Sequence, residues 1–172
     1  QYGTVSNVIT RNVTVGLITT SNLQTLVNMY LSDDTREAVM DAMGPILYWD
    51  VRLVSDMSEL FKNKTTFNED LYLWNVSQVT NFSGMFHGAT SFNRPLNSWN
   101  VSSGTNFSRM FVGAASFNQP LDSWNMSSST QLGFMFYGAT LFNQNLDNWF
   151  SVTQSSAKVY GMFQNSGSPT PP

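Results

Sequence analysis

From Trp49 onward, large apolar side chains return at a fixed step along the chain. Trp49, Trp74, Trp99, Trp124 and Trp149 are spaced by 25 residues throughout, and they are all five tryptophans present. Phe67, Phe92, Phe117 and Phe142 keep the same step, as do Phe61, Phe86, Phe111 and Phe136 before Phe163 arrives two residues late. Asn68, Asn93, Asn118 and Asn143 directly follow one phenylalanine series, and Leu71, Leu96, Leu121 and Leu146 lie three residues further on. A period of this length marks units that stack on one another, because no single unit buries its apolar face alone.

Inside a unit, Val79, Phe82, Met85, Phe86 and Ala89 follow an i, i+3, i+6/7, i+10 pattern, which predicts a short helix of about two to three turns. Ser77 or Thr80 would cap its start, and Gly88 or Thr90-Ser91 would end it. The stretch Phe92–Trp99, with Pro95 here and Pro120 in the next copy, predicts a short extended segment with a corner. The expected fold is therefore an α/β repeat, one short strand plus one short helix per 25-residue coil. Before the array, Ser21 or Asn22 would cap a helix through Leu23, Leu26, Val27 and Tyr30. A second helix would start near Asp34, with Glu37 as capping-box partner, and stop at Gly44-Pro45. The alternation of Val13, Val15 and Leu17 predicts one or two strands, which would pair with the domain's own edge or with a neighbouring subunit. The expected organisation is a strand segment over 1–20, a helical cap over 21–45, a solenoid of about five coils over 46–165 and a Pro/Ser linker over 166–172. The Gln1 start and the Ser/Pro-rich end read as the borders of a segment from a longer polypeptide.

Two sets of repeated residues have two readings each. Asn68, Asn93, Asn118 and Asn143 form either a ladder inside the turn of each coil or an exposed ligand-reading row. The tryptophan and phenylalanine series are read as core, with a stacked sugar groove as the alternative.

Composition narrows the function. Charged residues make up 11% of the chain, about half the usual share, and the net charge is −3. Neutralising phosphates takes clustered Lys and Arg, so nucleic acid is not expected as a partner. There is no Cys, and no apolar stretch approaches the roughly 20 residues of a membrane span. Catalytic motifs are missing too: there is no phosphate loop, nucleophile elbow or metal-spaced cluster, and the lone His87 sits in a variable slot held by Val112 and Tyr137 in later units. No enzyme activity, cofactor or metal is expected. N-x-S/T sequons begin at Asn12, Asn63, Asn75, Asn81, Asn100, Asn106 and Asn125 and are candidate glycosylation sites, although W-N-V-S is also simply part of the repeat.

Residues 85–101, and nearly as well the unit from Met110, resemble the BspA-like leucine-rich-repeat proteins in their mycoplasma-type surface-repeat variant. That pattern runs MF-x-x-A-x-x-F-N-x-x-L-x-x-W-[ND]-V-S-x-V-T-x-M-x-x-MF, and the resemblance extends over about residues 23–165. Departures are Gly104 for Val, Phe82 and Phe107 for Met, and a two-residue insertion near Ser151–Ser156. The resemblance implies a leucine-rich-repeat-like solenoid and an extracellular or cell-surface protein. Such a protein would act in adhesion through protein or glycan contacts; the strand-rich start, the stalk-like end and the low charge add the expectation of a structural, filament-forming subunit with self-assembly through residues 1–20. An ice-binding solenoid is the alternative, since Ser77, Ser102 and Ser127 with Thr80, Thr105 and Thr130 form in-phase hydroxyl rows.

Overall fold

The computed structural model describes residues 16–149 and 159–167. Most of the expected N-terminal strand segment, including Val13 and Val15, lies outside those residues. So do Asn12, the insertion at Ser151–Ser156 and the linker from residue 168. Helix α1 spans Thr20–Tyr30 and buries Leu23, Leu26, Val27 and Tyr30 on one face. Its N-cap is Thr19, one turn earlier than Asn22, which instead serves at the third helical position: its side-chain oxygen accepts the Thr19 N–H at 2.8 Å. Helix α2 spans Arg36–Met43. Asp34 stays outside it, because Thr35 occupies the N-cap while its hydroxyl donates back to Met29 O at 2.6 Å. Gly44, at φ 71°, ends α2, and a 3-10 turn over Ile46–Tyr48 leads into the first coil.

The two helices cover the first coil. The Gln24 amide donates to Leu60 O at 3.1 Å, and the Thr20 hydroxyl accepts the Ser55 N–H at 2.9 Å. The Tyr30 hydroxyl donates to Glu69 at 2.6 Å, Arg36 pairs with the same carboxylate at 2.9 Å, and the Tyr30 ring meets Trp49 edge-on at 5.4 Å. Burial, and then the Glu69 carboxylate it bonds, push the Tyr30 phenol above its ordinary pKa.

The repeats correct the expected fold. Across residues 51–146 there is no helix and no strand, so the strand-plus-helix unit of a leucine-rich-repeat-like α/β solenoid is not what this sequence builds. Each coil is a chain of turns, joined to its neighbours by the single parallel bridges Asp56–Asn81, Asn81–Asn106 and Asn106–Gln131. The hydrogen bonds explain why. The N–H groups of Met85, His87 and Ala89 bond three residues back, to Phe82, Gly84 and Phe86, as in successive tight turns. The intervening N–H groups of Phe82, Gly84, Phe86 and Gly88 leave the coil and donate to Asn106, Ser108, Met110 and Val112 at 2.7–2.9 Å. An α-helix would consume those donors four residues back. Gly84 and Gly88 have φ 61° and 69°, in the left-handed region, which reverses the winding twice within the segment. Linked three-residue turns thus reproduce the apolar spacing of a helix without its backbone.

The Phe92–Trp99 stretch forms no ladder either; side chains join the coils there. The Asn118 N–H donates to the side-chain oxygen of Asn93, and the Trp124 indole N–H donates to Leu96 O at 2.9 Å. Inside, the aromatic columns stack at a coil-to-coil step of 5.4–5.9 Å, as in Phe61–Phe86, Phe86–Phe111, Phe111–Phe136 and Phe67–Phe92–Phe117–Phe142. Parallel rings at this spacing are offset rather than eclipsed, and each pair adds about 0.5–1.5 kcal/mol beyond the area it buries.

Candidate functional site

The repeated residues are occupied by stacking. Trp74, Trp99, Trp124 and Trp149 are buried, and their indole N–H groups donate to Ile46, Leu71, Leu96 and Leu121 O at 2.7–3.0 Å, while Trp49 reaches Gly44 O at 3.3 Å. Asn68, Asn93 and Asn118 accept the backbone N–H of Asn93, Asn118 and Asn143 at 3.0, 3.0 and 2.9 Å. The side-chain oxygens of Asn75, Asn100 and Asn125 are exposed and accept the N–H of Ser77, Ser102 and Ser127, the service Asp50 gives Arg52 in the first coil. The letters of these sequons therefore also encode a turn. Asn81 and Asn106 are half-buried at the bridges and accept from Ser83 and Ser108, as Asp56 accepts from Ser58. Burial raises the Asp56 pKa, but the bonds from Ser58 and Asn81 outweigh it and hold the carboxyl below its usual range. Asn63 is exposed at φ 58°. The Thr80, Thr105 and Thr130 hydroxyls donate to Ser55, Thr80 and Thr105 O at 3.1–3.3 Å.

Several slots change from coil to coil, among them Glu69, Arg94, Gln119 and Gln144, and two of the variable columns are adjacent. The first is Glu59, Gly84, Arg109, Phe134 and Gly161; the second is Lys62, His87, Val112, Tyr137 and Gln164. Every member of the first column has a positive φ, between 57° and 63°. Glycine takes that conformation freely, whereas an L side chain there costs about 1–2 kcal/mol. Arg109 and Phe134, both at φ 58°, accept the cost, and neither fills the core: Arg109 is exposed and Phe134 half-buried. Side chains of this column lean toward the following coil. The Arg109 guanidinium lies 5.9 Å from the centre of the Phe134 ring, and Phe134 lies over Gly161, where a Cβ would fall 2.6 Å from the ring.

These residues border an open groove of about 340 Å³, lined by His87, Arg109, Val112, Phe134, Tyr137 and Gln164. Tyr137 and Tyr160 meet Phe134 edge-on at 5.9 and 5.2 Å, and Tyr160 is 77% exposed. Desolvation, with the nearby Lys62 ammonium, holds the His87 pKa below its ordinary value. Lys62 is paired with Glu59 at 2.6 Å. Reading the sequence alone singled out the slot shared by His87, Val112 and Tyr137, with His87 as surface decoration. It missed Arg109, Phe134, Tyr160 and Gln164. Aligning the column of Arg109 against Gly84 would have exposed two bulky residues where the turn prefers glycine. Among the described residues, no group of three or more His, Cys, Asp or Glu side chains gathers to hold a metal ion, and no helix is long and apolar enough to cross a membrane.

A stack of turn-built coils with a helical cap defines a repeat protein whose framework residues serve packing. It belongs to the family described as "Mycoplasma protein of unknown function, DUF285", whose model matches residues 26–149 and 80–169. No curated protein and no solved structure matches the chain.

Proposed function

We propose that this protein is a non-enzymatic binding module displayed on a cell surface or secreted, and that it acts in adhesion. The observation that carries this reading is the division of labour in the repeat. The tryptophan, phenylalanine and leucine columns and the asparagines from Asn68 to Asn143 are buried or bonded to a neighbouring coil, while Arg109, Phe134, Tyr137 and Gln164, from slots that change between coils, share a groove with cationic, aromatic and amide groups. Scaffolds of stacked repeats commonly place recognition on such a surface. The low share of charged side chains, 11%, and the family match support a surface setting. The in-phase Thr80, Thr105 and Thr130 hydroxyls direct their protons into the preceding coil's carbonyls, which supports a packing role for them over ice binding.

Protease treatment of intact cells that make the natural polypeptide tests the placement, with peptides of residues 49–149 read by mass spectrometry. Release of those peptides before lysis is expected. Their appearance only after lysis would overturn the reading.

A further inference from the structure

The groove shows what kind of partner it suits. We propose that it binds a carbohydrate unit bearing a carboxylate, with Arg109 taking the carboxylate, Tyr137 and Phe134 lying against the sugar's C–H face, and His87 and Gln164 meeting its hydroxyls. This rests on the surface-module reading and deepens it.

Arg109 is the starting point. Arg36, Arg52 and Arg94 each have a carboxylate, at 2.9, 3.1 and 3.9 Å, whereas Arg109 makes no ion pair among the described residues. In a chain of net charge −3 with carboxylates in excess, a guanidinium that lines a groove beside the Phe134 ring and has no carboxylate of its own is set for an anion from outside. Its planar fork matches a carboxylate in two parallel hydrogen bonds. The neighbouring wall is aromatic, with Tyr137 and Tyr160 in edge-on contact with Phe134. The backbone supplies a separate argument: Arg109 and Phe134, like Glu59 earlier in the column, keep a left-handed conformation that Gly84 and Gly161 occupy in the coils flanking the pair. Their side chains, not their backbone, justify their presence, and both line the groove. At about 340 Å³ the space is at the small end of the range for ligand sites and suits one or two sugar rings. A polyphosphate would need several cations, but the next one along the face, Lys62, is already held by Glu59. An extended peptide would seek free backbone donors, but those of Phe82, Gly84, Phe86 and Gly88 are bonded to the following coil.

Isothermal titration and saturation-transfer NMR on the whole chain test this, using four probes: sialyllactose, a glucuronic-acid-terminated disaccharide, neutral lactose and a Glu-rich peptide. At least one acidic sugar should bind, at least about tenfold more tightly than lactose. Arg109→Gly should abolish that binding. Because glycine suits the backbone at this position, the variant should melt no lower than the parent, which separates lost binding from lost fold. Tyr137→Ala should weaken binding about tenfold, and Arg52→Ala, in the first coil, should leave it unchanged. The proposal is overturned if neither acidic sugar binds at millimolar concentration, if lactose binds equally well, if Arg109→Gly retains affinity, or if only the peptide binds. Any of these results together with surface release of the repeat peptides would remove the ligand class and leave the surface-module reading standing.

Discussion

The asparagine column offers a quantitative test of how the coils are held in register. The Asn93 side-chain oxygen accepts both the Asn118 N–H and the Gln119 amide at 3.0 Å, while the Asn93 N–H donates to Asn68 in the coil before. Replacing Asn93 by Ala removes the acceptor and leaves the Asn118 N–H, which is part-buried, with no side-chain partner. Gln119 keeps a second bond, to the Asn93 backbone carbonyl at 3.2 Å. The loss is therefore close to one backbone donor, worth about 1–2 kcal/mol. For a chain of this length that lowers the melting temperature by roughly 2–8 °C. Asn93→Asp keeps the acceptor and makes it charged, so at pH 7 it should melt within about 2 °C of the parent. Donors around the introduced carboxylate depress its folded-state pKa. The stability it contributes is thus fully present above its unfolded value of about 3.9 and is lost as pH falls through the folded value. Calorimetry of the parent and both variants at pH 7 and near pH 3 decides the matter. Equal destabilisation by Ala and Asp at pH 7, or no effect of Ala, would refute the ladder's energetic role.

Further expectations follow from packing and charge. A Cβ at Gly104 would run into the Phe107 ring, so Gly104→Val should overpack the core by about 1–3 kcal/mol in denaturant unfolding. Adding Phe107→Met recreates the Val54–Met57 pairing of an earlier coil and should restore much of the loss; failure of the second change to rescue would contradict the size-compensation argument. His87 should titrate by NMR below the ordinary value of about 6.5, because desolvation first and Lys62 second disfavour its charged form, with Arg109 acting likewise and Glu59 opposing. Since its folded pKa is the lower one, the stability linked to it is present above about pH 6.5 and lost as pH falls through the folded value. Lys62→Met should move the midpoint up, and an unchanged midpoint would remove Lys62 as a cause.

What was legible in the sequence was the period. Five tryptophans and three further columns in one phase locate the stack and its core because interior packing is the strictest constraint on side-chain size. The local backbone was not legible. The spacing of Val79, Phe82, Met85, Phe86 and Ala89 satisfies a helix and a run of three-residue turns equally well, and what decides between them is the destination of the Phe82, Gly84, Phe86 and Gly88 N–H groups, 24 residues away. Gly88 reads in the sequence as a helix end, and a glycine fits that place as well as it fits the left-handed turn it takes here. The groove was hidden for a related reason: Arg109, Phe134 and Tyr160 come from successive coils, and only stacking brings them side by side.

Alternate backbone donors leave each coil for the next, and the stack depends on them. Scalar couplings across hydrogen bonds, measured by NMR on isotope-labelled protein, report these bonds directly. The Phe86 amide should couple to the carbonyl of Met110, and the Gly88 amide to that of Val112. Coupling of the Phe86 amide to the Phe82 carbonyl, four residues back as in a helix, would contradict the account.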